Sequence, residues 1–255
     1  MRKPRKNDRE FNAPIPELSL VRGFTLVELL VVVGILAFLI ALLIPATRSA
    51  RPAARRSQCA NNLRQIALAL QSYEQAYKAL PPACTVDANG RPLHGWRTLI
   101  LPYLEQAPLY QTIDLSKPWN APANVKALET YLPVFRCPEA VGPQNRTTYL
   151  AIAAPNGCFL PRESRRLAEI TDAHASTLMA IEAGAENAVF WMAPVDADES
   201  LVLSLGPTSQ LHHSGGMHAC FVDNHVAFLK ANTPATVRRA LMSISGNDDD
   251  VANER

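Results

Sequence analysis

The sequence predicts an α+β protein, with a long helix at its N-terminal end and a β-rich part toward its C-terminal end. Three observations carry this. The apolar run Phe24 to Ile44 is followed by apolar residues at steps of three and four, and then by Pro81-Pro82. Short β-prone runs crowd residues 146–230, and the last two are split by Asp223-Asn224. Twenty prolines among 255 residues call for a loop-rich body rather than a helical bundle.

That length allows one ordinary domain plus an N-terminal appendage. Lys and Arg number 25 against 23 Asp and Glu, so no global charge argues for nucleic acid as a partner. The charge is uneven: residues 1–23 hold six basic and three acidic side chains. They form a cationic leader.

Residues 24–45 form the first helical segment. Only Thr25 and Glu28 are clearly polar before Pro45, and the run would span roughly 30 Å, one bilayer core. It is too long for a cleaved secretory core, and a helical pattern follows Pro45 instead of a small-residue processing site. Its partner is membrane lipid, with the leader kept in the cytoplasm by the positive-inside bias. Pro45 is expected to kink the helix or loosen one turn of it.

Glu28 is the anomaly, because an acid inside a bilayer costs about 2.5–3.5 kcal/mol on insertion scales. Either it snorkels to the interface, or it has a positive partner. A cut between Gly23 and Phe24 would create one, a new terminal amine.

The stretch "RGFTLVELL" resembles the class III signal of type IV prepilins and type II secretion pseudopilins. The resemblance covers about residues 18–50. It implies cleavage after Gly23 by prepilin peptidase and N-methylation of Phe24. It also implies pairing of Glu28 with the terminal amine of a sister subunit during assembly.

Residues 46–80 continue the helix, with Leu63, Ile66, Ala67, Leu70, Tyr73 and Tyr77 on one face and Asn61, Asn62, Arg64 and Gln65 on the other. Pro52 is expected to interrupt it early and Pro81-Pro82 to end it. Residues 81–145 read as loop-rich. Two short helical pieces flank Pro102, a helix covers "APANVKALETYL", and "PVFRC" is a short strand. Trp96 and Trp119 read as core aromatics, with a sugar-stacking pair as the alternative. Residues 146–243 supply the strands "TTYLAIA", "STLMAIEA", "AVFWMA", "LVLSL", "GMHACFV" and "HVAFLK". A closing helix follows, with Thr233 as N-cap and Pro234 at its first position. Residues 244–255 are a solvated tail containing Asp248 to Asp250.

The five cysteines show no C-x-x-C spacing, which argues against a zinc knuckle or a thioredoxin-like motif. His212, His213, His218, Asp223 and His225 are dense enough to suggest a metal. His218 lies on a strand, Asp223 and His225 at or beyond its turn, and His212 and His213 before a flexible Gly-Gly; this spread points to structural hydrogen bonding instead, so no metal and no cofactor are expected. No serine-hydrolase elbow, zinc-protease motif, phosphate loop or EF-hand loop is present in the sequence, so an enzyme is not expected.

His213, nine residues and then Asp223 is similar to the signature of a family of unknown function, abundant in planctomycete bacteria and attached to prepilin-type N-termini. "CANNLRQIALALQSYEQAYKALPP", "GWRTLILPYLEQAPLY" and "FRCPE" resemble it too. Asn224 stands where that signature has glycine, and asparagine still tolerates a left-handed turn position. The family's habits imply a disulfide between Cys59 and Cys137 in an oxidising compartment; two buried thiols are the competing reading. The two resemblances together imply a pilin-like α+β fold, the long helix packed on an antiparallel sheet.

The function expected is that of a structural subunit of a pilus or type II secretion pseudopilus. Its partners would be prepilin peptidase, sister subunits and an assembly platform. It would sit as a single-pass protein in the cytoplasmic membrane, with its globular part periplasmic or at the cell surface. The alternative is a membrane-tethered binding domain that uses the signal only for export.

Overall fold

A computed structural model describes residues 24–246; for residues 42–50 it describes the backbone alone. The leader 1–23, including Gly23, and residues 247–255, including Asp248 to Asp250, lie outside the described residues. The chain divides into two compact units, Met1–Ser49 and Ala50–Arg255.

Helix α1, Leu26–Tyr77, starts in the first unit and ends in the second. It runs through both Pro45 and Pro52, so Pro52 does not interrupt it as the sequence predicts. Each proline removes one helical hydrogen bond, and the alanines around them (Ala46, Ala50, Ala53, Ala54) favour helix strongly enough to continue. In the first unit every described side chain is exposed, from Phe24 at 80% to Ile40 at 58%. A helix that is apolar all round and exposed calls for an apolar covering.

In the second unit α1 buries Cys59, Leu63, Ile66, Ala67 and Leu70 as one stripe at helical spacing. Asn62, expected on the polar face, is 5% exposed instead. Its side-chain amide donates to the carbonyls of Pro133 (3.1 Å) and Arg136 (2.9 Å), which satisfies it inside. The helix stops at Lys78, in the left-handed conformation (φ 61°), before the prolines are reached.

The middle segment holds a hairpin missed from sequence, β1 (Cys84–Val86) with β2 (Pro92–Gly95). Then come single turns: α2 (Trp96–Leu99), a 3-10 turn Leu101–Leu104, α3 (Ala107–Tyr110) and α4 (Val125–Leu128). The helix expected over "APANVKALETYL" is therefore only α4 and the 3-10 turn Pro122–Asn124 before it. "PVFRC" is not a strand but a 3-10 turn, Pro133–Phe135. Proline suits a first helical position and donates nothing to a ladder.

The β-rich part consists of β3 (Arg146–Thr147), β4 (Tyr149–Ala151), β5 (Leu178–Glu182), β6 (Val189–Phe190), α5 (Glu199–Ser204), β7 (Gly216–Phe221), β8 (Val226–Lys230) and α6 (Ala235–Met242). "LVLSL" lies mostly in α5 and is not a strand, because Asp198 caps a helix there by accepting from the Leu201 N–H at 2.8 Å. The closing helix starts one residue later than expected, with extended Pro234 as N-cap. Strands β4, β5, β7 and β8 form one antiparallel sheet in that spatial order.

Alternation sends the two faces of this sheet into two cores. Cys220 and Val222 join the core containing α1. Met217, Ala219 and Phe221 join the core containing Val237 and Leu241 of α6. The β5 register shifts between Leu178 and Ala180, placing Met179 and Ala180 together on the α1 side and returning Ile181 to the other. The next residue, Glu182, therefore points to the α1 side.

Gly216 pairs with Lys230 at the start of β7. A Cβ there would collide with the Leu229 carbonyl oxygen and lie 2.7 Å from the Phe228 ring. Gly216→Ala should cost about 1–3 kcal/mol by overpacking. In urea unfolding, a midpoint equal to that of Gly206→Ala, whose nearest contact is 3.9 Å, would contradict this.

Candidate functional site

At the N-terminal motif, Thr25 and Glu28 form a reciprocal cap. The Glu28 carboxylate accepts from the Thr25 N–H (2.9 Å) and hydroxyl (2.8 Å), and the Thr25 hydroxyl accepts from the Glu28 N–H at 3.2 Å. The signal T-x-x-E was legible in the sequence and went unread, so Glu28 has an intrachain partner that neither expectation included. Phe24, the expected methylated residue, is 80% exposed.

The second cluster is internal. Four side chains from four separate segments meet: Cys59 on α1, Cys137 after the 3-10 turn, Glu182 at the end of β5 and His213 just before β7. Their sulfur, oxygen and nitrogen atoms all lie within 4.8 Å of one another. None is more than 6% exposed. The Cys59 and Cys137 sulfurs, both thiols here, are 2.6 Å apart. His213 Nε2 lies 3.6 Å from the Cys137 sulfur and 3.5 Å from Glu182 Oε2. His218, on the same face of β7 as Cys220, brings Nδ1 to 3.0 Å from Glu182 Oε2. Oε1 of Glu182 has no hydrogen-bond partner among the described residues.

Burial alone would neutralise Glu182. The hydrogen bonds from His213 and His218, with Cys137 beside them, reverse this and hold the carboxyl well below the usual range. Burial likewise opposes a charged His213, but Cys137 and Glu182 hold it up at about 9. The Cys137 thiol is pushed far up, first by its contact with Cys59 and next by burial. The cluster sets a buried His213–Glu182 pair against two cysteine sulfurs.

The histidine-rich stretch is thus divided. His213 joins the cluster, and His218 supports it. Asp223 and His225 pair with each other at the far end, Nδ1 of His225 lying 2.6 Å from the Asp223 carboxylate. The hairpin between β7 and β8 is not the two-residue turn expected. Asn224 N–H donates to the Phe221 carbonyl (2.9 Å) and Phe221 N–H to the His225 carbonyl (3.0 Å). That makes a three-residue loop with Asn224 alone left-handed, at φ 71°. The Asn224 amide donates to the Gln71 side chain at 2.9 Å, tying the loop to α1.

His213 meets the helix at Cys59, and Asn224 meets it at Gln71. Twelve helical residues cover roughly 18 Å, and the six-residue strand β7 covers roughly 20 Å. His213 and Asn224 thus lie at the two ends of β7, whereas Asp223 pairs with His225 and not with the helix, so the signature residues do not form one site.

Trp96 is fully buried, and its indole N–H donates to Asp196 at 2.8 Å, which removes it from any ligand surface. Trp119 packs on Phe190, with ring centroids 5.7 Å apart. Two features were missed from sequence: Glu182 and the buried pair Arg97–Asp196. The acid within the apolar run "STLMAIEA" was the available signal for the first.

Residues 48–202 match the family described as "Protein of unknown function (DUF1559)", and residues 18–44 match the prokaryotic N-terminal methylation motif. No curated protein and no solved structure matches. Among the described residues no helix is long and apolar enough to cross a membrane. The motif nevertheless implies a prepilin-type exported protein, associated with membrane, processed by prepilin peptidase and assembled with pilin-type subunits. More than half of the sequence lies within one family match that begins just behind that motif, and the chain belongs to the DUF1559 family, as a member carrying a prepilin-type N-terminal signal.

Proposed function

We propose that this chain is a non-catalytic structural subunit of a pilus or of a type II secretion pseudopilus, with a pilin-like packing of α1 on its sheet. Residues 24–45 hold it single-pass in the cytoplasmic membrane until assembly, and the second unit lies outside the cytoplasm. The observation behind this reading is the start of α1: over residues 26–41 the side chains are exposed and apolar but for one acid, Glu28, which stands at the fifth position of the chain cut after Gly23. In a low dielectric, the Phe24 amine of one subunit and Glu28 of its neighbour are each costly alone and tolerable together. Outside the cytoplasm Cys59 and Cys137 join as a disulfide that staples α1 to the body.

Two variants separate the charge from the cap. Glu28→Gln keeps an acceptor for Thr25, whereas Glu28→Ala removes both. Each should reduce crosslinked multimers in membranes at least tenfold. Multimers at the wild-type level with Glu28→Gln would reduce Glu28 to a helix cap. A mature chain that begins at Met1 rather than Phe24 on N-terminal sequencing would rule out processing.

A tethered binding domain is the second reading, favoured by one observation. A cavity of about 510 Å³ opens beside His213, walled by Leu211, Ser214, Gly215, Ala231 and Asn232. Normal fibres or secretion with Glu28→Ala would favour it.

A further inference from the structure

We infer that Cys59, Cys137, Glu182 and His213 form a binding site for a soft divalent transition-metal ion of the zinc class, open only while the two cysteines are reduced. The inference stands apart from the pilus reading and survives if the chain never polymerises.

The donor set is two sulfurs, one imidazole nitrogen and one carboxylate oxygen. That number and mixture suit a closed, four-coordinate structural site, and thiolates select against calcium and magnesium. Each donor comes from a different segment, so an ion would tie α1, the Cys137 loop, β5 and β7 together. The carboxylate is the independent pointer. Glu182 is 1% exposed, and its Oε1 faces the interior with no partner among the described residues. Such an atom is costly unless something completes it. His218, 3.0 Å from Oε2, already fixes the carboxylate from behind, the position of an outer-shell partner of a metal ligand. Of the four donors, His213 borders the cavity of about 510 Å³.

Binding displaces both thiol protons and the proton that His213 holds beside Glu182, so that His213 engages as the neutral ring. Zinc–sulfur bonds of about 2.3 Å in a tetrahedron set the sulfurs roughly 3.8 Å apart. The sulfurs, now 2.6 Å apart, must separate slightly. The opposite movement closes the site. By thiol–disulfide exchange with the disulfide of a partner oxidant, the two S–H bonds are replaced by one S–S bond. Two electrons and two protons pass to the partner, which leaves as a dithiol. Disulfide and metal are therefore mutually exclusive.

The test uses the full chain in detergent, fully reduced and stripped of metal, titrated with Co²⁺. One ion per chain with a thiolate-to-cobalt charge-transfer band is expected. Oxidised protein should give no such band. Cys59→Ser should lose the band, and His218→Phe should weaken binding by about 10–100-fold. In case a variant fails to fold, zinc on the reduced wild type should shield Cys59 and Cys137 from alkylation, mapped by peptide mass, and leave Cys84 unshielded. A reduced wild type that retains no ion, or zinc that shields neither cysteine, overturns the inference. So does an unchanged cobalt band in oxidised protein.

Discussion

Asp196→Ala is expected to lower the unfolding free energy by about 3–5 kcal/mol, because it leaves the Arg97 cation buried without a counter-charge. Arg97 and the Asp196 side chain are 0% and 3% exposed, and their charged atoms are 2.6 Å apart. All five guanidinium N–H groups are used. One goes to Asp196, and the others go to the carbonyls of Trp191, Tyr149, Ala193 and Val195. Oδ1 of Asp196 also accepts from the Trp96 indole (2.8 Å) and the Ala151 N–H (2.9 Å). One carboxylate thus joins α2, β4 and the loop after β6. Burial pushes its acidity down even against the pull of Arg97, which measures how little water helps the charge there. In denaturant titration, Arg91→Ala is the control: it removes a surface pair whose arginine is 73% exposed and should cost under about 1 kcal/mol. Equal losses for the two variants would show that Asp196 does not carry the load assigned to it.

Reduction of the Cys59–Cys137 link should destabilise the oxidised protein by about 2–4 kcal/mol. The two cysteines are 78 positions apart, so the proposed link would close a long loop and remove much freedom from the unfolded chain. The pair also joins the helix to the loop already clamped by Asn62. Peptide mapping without reductant should recover the two cysteine peptides joined, and thermal unfolding should move down on reduction. Free, fully alkylated Cys59 and Cys137 in the non-reduced protein would rule the link out. Zinc added to the reduced protein should return part of the loss, about 2.7 kcal/mol at a hundredfold excess over its dissociation constant.

Local patterns were legible wherever the deciding interaction lies within a turn or two. The stripe from Leu63 to Leu70, the strands around Ala180 and Ala219, and the αL-tolerant Asn224 all follow from spacing and residue type. Errors came where a short-range competitor went unweighed. Asp198 turned an apolar alternation into α5, Pro133 turned a strand into a 3-10 turn, and the alanines around Pro52 carried α1 through.

By itself, then, the sequence determined the N-terminal signal, the helix and the β-rich half, because periodicity and capping act between neighbours. Only the tertiary structure decided what the acids and cysteines do. Glu182 reaches Cys59, Cys137 and His213 through a one-residue shift in β5 that no local pattern announces. Arg97 finds Asp196 at 99 positions' distance. Such pairings are set by which face of a strand meets which face of a helix, and that is resolved only when the whole core packs.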